Sequence, residues 1–364
     1  MNRYATTVLA ALIAIATVLV PGASTAQAAE RTITYTVSTR GSVAGDLGHF
    51  SAVAADTLTD NRGWSLGGTL AFQQVPSGAD FDLVLASPAV VGNAAPGCSS
   101  TWSCRVERTV YINDERWRLA TSSWSFGLPL YQQYVILHEV GHWLGLGHRD
   151  CPTGGQTAPV MQQQSISLQG CLANVWPLIA EREQAARTQG VSVNWSAIEQ
   201  VYRALGQAGG LLGPPVTWEL STPDEVGRYQ HYAGQGGASI YWTPGTGAHE
   251  VYGAIRNRWA ELDWEQGPMG YPITGERATP DGVGRYNHFS RPSGASIYWT
   301  PSTGAHEVYG AIRNRWAKLD WEQGPLGYPV SGEYDVEGGR RSDFQGGSIV
   351  WDRATGSTEV LSAD

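Results

Sequence analysis

His138-Glu139-Val140-Gly141-His142-Trp143-Leu144-Gly145-Leu146-Gly147-His148 gathers three of the chain's eight histidines into eleven residues. His138 and His142 are four residues apart, so on a helix they share one face and both imidazoles can reach one metal ion. Glu139 stands beside the first histidine and can reach a water on that metal without being a ligand. Gly145 falls where a helix could end in a left-handed turn, which glycine adopts without steric cost. The chain can then swing back and bring His148 to a third position. Three neutral nitrogens with one position left open describe a catalytic zinc site, whereas structural zinc sites are closed. In a non-catalytic metal site Glu139 would be idle.

A helix from about Pro129 through Leu144 must carry these side chains. Upstream, Arg31 to Val37 (RTITYTV) alternates with period two and reads as a strand. Asp46 to Thr59 places Phe50, Val53, Ala54, Thr57 and Leu58 on one face and reads as a helix. Leu66 to Val75, Phe81 to Ser87 and Thr109 to Asp114 read as further strands. That order predicts an α+β unit, a twisted mixed sheet with two main helices.

The eleven residues match the pattern HExxHxxGxxH at every defined position, so the segment resembles the metzincin zinc peptidases. More narrowly, with "APVMQQQ" downstream, it is similar to an uncharacterised secreted bacterial metzincin-like domain, over roughly Arg31 to Glu183. The resemblance implies Zn²⁺ on His138, His142 and His148, with Glu139 as general base. It also implies a methionine turn beneath the metal. Met161 lies thirteen residues past His148 and fits that turn; an ordinary core methionine is the alternative. No tyrosine follows Met161 closely, so a tyrosine ligand of the astacin kind is not expected. Little chain separates Ala28 from the first strand, so cysteine-switch latency is not expected either. The strand Thr109 to Asp114 is the expected upper rim of the cleft, where an extended substrate would pair.

The rest of the chain says where such chemistry would act. Val8 to Val20 is an apolar run after Arg3, and Ala26-Gln27-Ala28 supplies a small-residue cleavage pattern, so residues 1–28 read as a secretory signal. Thirteen apolar residues are short for a membrane span. Four cysteines fit an oxidising compartment. Of their three pairings, Cys98 with Cys104 and Cys151 with Cys171 require the least loop closure. A net charge of −9 leaves no basic surface for nucleic acid or anionic lipid.

From residue 197 the chain repeats itself. "AIRNRWAELDWEQGPMGYP" at Ala254 returns at Ala311 as "AIRNRWAKLDWEQGPLGYP", 57 residues on, and a weaker copy begins at Ala197. Each unit reads as a short amphipathic helix, an L/M-G-x-P turn and a hairpin ending in Trp242, Trp299 or Trp351. These units resemble LGFP repeats of bacterial cell-wall proteins; Leu212-Gly213-Pro214-Pro215 departs at its third place. The resemblance implies envelope anchoring, the alternative being a spacer whose tryptophans fill small cores. His249-Glu250 and His306-Glu307 begin like the zinc motif, but Gly253 and Gly310 stand where a second histidine is needed.

The expected division is a signal over 1–28, a metzincin-like zinc peptidase unit over 29–190 and a repeat unit over 193–364. The expected function is that of a secreted zinc endopeptidase acting on a protein or peptide substrate, held at a cell-wall polymer by its repeats. It would have no nucleic-acid partner and no membrane span after signal cleavage. Two other readings stand beside it: an envelope-binding protein with a non-catalytic zinc site, and a zinc amidase acting on peptidoglycan peptides.

Overall fold

The computed structural model describes residues 28–362. The segment read as a secretory signal lies outside them, but for its last residue. The first half runs β1 (Arg31–Arg40), α1 (Leu47–Thr59), β2 (Leu70–Gln74), β3 (Phe81–Ala86), α2 (Pro88–Gly92), β4 (Cys104–Val106), β5 (Thr109–Asn113), α3 (Asp114–Leu119), α4 (Leu128–Trp143) and α5 (Ile179–Gln189). The five strands form one mixed sheet in the order β2-β1-β3-β5-β4. All its pairings are parallel except β4 with β5. α1 and α4 pack on each other and on this sheet. Phe50, Ala54 and Leu58 of α1 meet Trp64, Trp117, Leu137 and Val140 in one core.

Local chemistry explains where the elements begin. Asp46 caps α1 by accepting from His49 N at 2.6 Å. The strand expected from Leu66 starts only at Leu70, because Leu66, Gly67 and Gly68 all take positive φ in a turn. Asp114, expected to end a strand, instead opens α3, and its carboxylate accepts from Ala44 N and Gly45 N. The short α2, α3 and β4 give too few residues for a periodic pattern to stand out.

Beyond Gly190 the chain lies against the first unit. Asn194 N donates to Leu66 O at 2.9 Å, and Thr69 Oγ1 donates to Ser192 O at 2.7 Å. Helices α6 (Ala197–Ala204), α7 (Gly253–Glu261) and α8 (Gly310–Ala317) are the three copies of the repeated helix. After α6 come β6 (Leu220–Ser221), β7 (Arg228–Tyr232), β8 (Ala238–Thr243) and β9 (Gly247–Tyr252). After α7 come β10 (Arg277–Ala278), β11 (Arg285–Phe289), β12 (Ala295–Thr300) and β13 (Gly304–Tyr309). After α8 come β14 (Tyr334–Val336), β15 (Gly339–Phe344), β16 (Gly347–Asp352) and β17 (Thr358–Ser362). The expected hairpin is thus one half of a four-stranded antiparallel sheet, and Trp242, Trp299 and Trp351 lie within its third strand.

The second and third repeat helices each complete a core that spans two sheets. Ile255 and Trp259 of α7 pack with Tyr241 and Val251 of the sheet before and with Phe289 and Ile297 of the sheet after. The tyrosine of each GYP turn clasps the preceding repeat. Tyr271 Oη donates to Asp224 Oδ1 at 2.6 Å, and Tyr328 Oη does the same to Asp281 at 2.7 Å. This accounts for Pro214: the first repeat has no preceding repeat to clasp. Its neighbouring Pro215 O accepts instead from Thr157 Oγ1 of the first unit, at 2.6 Å. His249 and His306 lie on β9 and β13 with Nε2 against the carbonyls of Thr246 and Thr303, and among the described residues neither belongs to a cluster that could hold a metal.

Candidate metal centre and its cleft

α4 is buried over most of its length, from Tyr131 to Gly141, so its histidines project from a fixed rod. Trp64 Nε1 donates to Leu137 O at 2.7 Å and pins it from behind. The helix ends as its glycine foretells. Gly145 takes φ 94°, its N–H reaches His142 O, and Leu146 N–H reaches Gly141 O at 3.0 Å, the paired bonds of a Schellman turn. Thr188 Oγ1 of α5 adds a donor to Leu144 O at 2.9 Å. That reversal brings His148 back beside the helix.

His138, His142 and His148 each offer a ring nitrogen, all within 4.8 Å of one another. His138 Nδ1 lies 2.8 Å from Val160 O, and His142 Nδ1 lies 2.9 Å from Leu146 O. A carbonyl can only accept, so both Nδ1 atoms carry the proton and both Nε2 atoms present a lone pair. His142 Nε2 and His148 Nε2 are 3.0 Å apart. Burial, followed by the neighbouring His142, pushes His138 down to about 3, and burial also lowers His142 and His148. Neutral imidazoles with converging lone pairs are what a borderline-soft dication requires, so the donor set fits zinc.

Glu139 is 6% exposed, and burial pushes its carboxyl up to about 8, against a smaller opposite pull from Arg105. It lines a cleft of about 460 Å³ together with the three histidines. One wall is the loop that Cys98–Cys104 closes, the other the segment from Gln163 to Ile166. The expected rim strand, Thr109 to Asp114, is not at the rim. β5 is paired on both sides, by β3 and by β4, and has no edge to offer. β4 is the edge strand, and its Cys104 and Arg105 line the cleft.

Met161 is fully buried beneath α4, against Gly141, where an added Cβ would collide with its Sδ and lie 3.0 Å from Trp64 Cζ2. The second disulfide joins Cys151 to Cys171 and closes the loop between His148 and α5. Two residues that hold the site escaped the sequence reading. Glu181, fully buried, accepts from Val160 N at 3.0 Å, Met161 N at 2.8 Å and Leu178 N at 2.8 Å. It thereby fixes the carbonyl that orients His138. Tyr134 Oη donates to Gln162 O and accepts from Gln164 N, locking the same turn from the helix side. Glu181 sits three residues after Leu178 in a capping box, but only its burial shows what else it grips. Gly141, inside a helix where glycine is costly, was the one legible hint of a close approach.

Comparison with known proteins gives the two halves separately. Residues 14–194 match a family described as a protein of unknown function, DUF3152. Residues 212–267, 269–324 and 326–363 match the LGFP repeat. A search of curated proteins gave no match. Among solved structures, archaemetzincin from Methanopyrus kandleri aligns at 14% identity over 43% of this chain and 96% of that one, with a TM-score of 0.30. So distant a likeness transfers no activity. The chain therefore joins a segment similar to a family of unknown function to three LGFP repeats, which are cell-wall-binding modules.

Proposed function

We propose that the chain is an exported zinc peptidase of the metzincin type, with the hydrolytic unit over residues 29–190 and an envelope-binding unit over 193–364. The observation that carries this reading is the convergence of three ring nitrogens, two with the tautomer fixed by a carbonyl, beside a buried carboxyl that ligates nothing. His138, His142 and His148 would hold the ion. When bound, zinc supplies a Lewis acid that acidifies water and polarises a carbonyl. An adjacent positive charge also favours the carboxylate form of Glu139 and opposes the push of burial. Glu139 takes a proton from water and returns it to the leaving amine, so that one group serves as base and then acid. The free edge of β4 lies where an extended peptide could pair.

Two disulfides and the LGFP repeats fit an extracellular or wall-associated location. No helix among the described residues is long and apolar enough to cross a membrane. The test is hydrolysis by the chain from Ala29 onward, offered proteins, peptides and purified peptidoglycan, with and without a chelator. Chelator-sensitive cleavage of proteins or peptides is expected. Cleavage of peptidoglycan amides alone would move the assignment to an amidase, and no hydrolysis in zinc-replete protein would remove it.

A further inference from the structure

A cavity of about 670 Å³ lies not at the histidines but at the junction of the two units. Asp60, Arg62 and Trp176 come from the first unit, and Glu199, Trp218, Glu219 and Arg228 from the first repeat. Neither unit alone encloses it. Its volume lies within the roughly 300–1,000 Å³ of small-ligand sites, which favour domain junctions.

The charges of this cavity are already spent within the protein. Arg62 pairs with Asp60 at 2.7 Å, Arg228 pairs with Glu219, and Glu199 pairs with Arg182, which is itself 2% exposed. The guanidinium groups that touch aromatic rings are part of the same scaffold: Arg62 lies over Trp176 at 4.2 Å, and Arg182 and Arg203 flank Trp195 at 4.9 and 4.5 Å. What remains uncommitted is neutral. The amides of Asn61 and Gln207 and the indole N–H groups of Trp195 and Trp218 line the cavity and make no hydrogen bond within the described residues. Fixed rings and free neutral donors and acceptors match a ligand that carries many hydroxyls and no charge. A phosphate or carboxylate would find no unpaired cation.

We propose that this junction cavity binds a short neutral saccharide, so that the first repeat and the peptidase-like unit together grip a glycan. The proposal extends the envelope-binding reading of the repeats and rests on it for the source of the glycan. It does not depend on the zinc chemistry.

The test uses the full chain from Ala29 and short neutral oligosaccharides released from isolated cell walls, with the anionic fraction as comparison. Tryptophan fluorescence and calorimetry read binding. The variant is Asn61→Ala/Gln207→Gly, glycine being suited to the φ of 55° at Gln207. Both side chains lack protein partners, so the fold should be kept, which the melting curve checks. The neutral fraction should bind the parent and bind the variant at least about tenfold more weakly. Failure of every neutral oligosaccharide to bind, equal binding by the variant, or preference for the anionic fraction would overturn the proposal. Sedimentation of the parent with whole walls is measured alongside. Sedimentation without oligosaccharide binding defeats the cavity and leaves the anchor; oligosaccharide binding without sedimentation does the reverse.

Discussion

Gly141 stands between the two helical histidines with no room for a side chain. Its neighbours are Met161 Sδ and the Trp64 ring, both fully buried and held by other contacts, so neither can yield cheaply. Gly141→Ala should therefore destabilise the protein despite the better helix propensity of alanine. The gain from propensity is about 1 kcal/mol, whereas overpacking costs about 1–3 kcal/mol. A lower melting temperature with weakened zinc binding is expected. A more stable variant would show that α4 and the methionine turn are not in tight register.

At the scale of elements, the site depends on a loop gripped in two ways. The Cys151–Cys171 bridge closes about twenty residues, worth roughly 3 kcal/mol by chain entropy. Glu181 holds the same loop by its backbone. Cys151→Ser/Cys171→Ser protein should bind zinc more weakly even where both proteins are fully folded. Glu181→Ala should do so more severely, since it orphans buried N–H groups at about 1–3 kcal/mol each. Competition with a chelator indicator measures both, and unchanged zinc affinity in both variants would reduce the loop to a plain staple.

How much of this was legible beforehand follows from what each residue reveals locally. Histidine spacing, the terminating glycine and both disulfide pairings are short-range properties: the three histidines converge, Gly145 takes a positive φ and both bridges form. The rim strand was misplaced because β5 has the stronger strand pattern, while β4 has only three residues and becomes a strand by pairing with it. Glu181's grip on Val160 and Met161 is invisible in sequence because these partners lie some twenty residues away and are backbone groups. Period alone points to stacked or tandem modules and does not show that α7 and α8 each complete a core shared by two sheets.

Across the whole molecule, the repeats form a stacked array whose interfaces contain buried carboxyls. Glu333 is pushed up to about 7 by burial, with Arg340 opposing, and its Oε2 has no partner. A carboxyl raised in the folded state favours folding while protonated. Its contribution is present below the usual carboxylate range and is lost as pH rises through about 7. Thermal unfolding of the repeats should become easier from about pH 4.5 to 7, and Glu333→Gln should flatten that slope. A slope unchanged by the substitution would place the titration elsewhere.

The hydrolytic reading stands or falls on Glu139, a buried carboxyl in the cleft that no structural contact explains. The decisive measurement is zinc content and peptide hydrolysis on the same preparation of Glu139→Gln protein. The ligands are untouched, so about one zinc per chain should remain, while hydrolysis should fall by at least about a hundredfold. Full hydrolysis by the zinc-loaded variant would contradict the account.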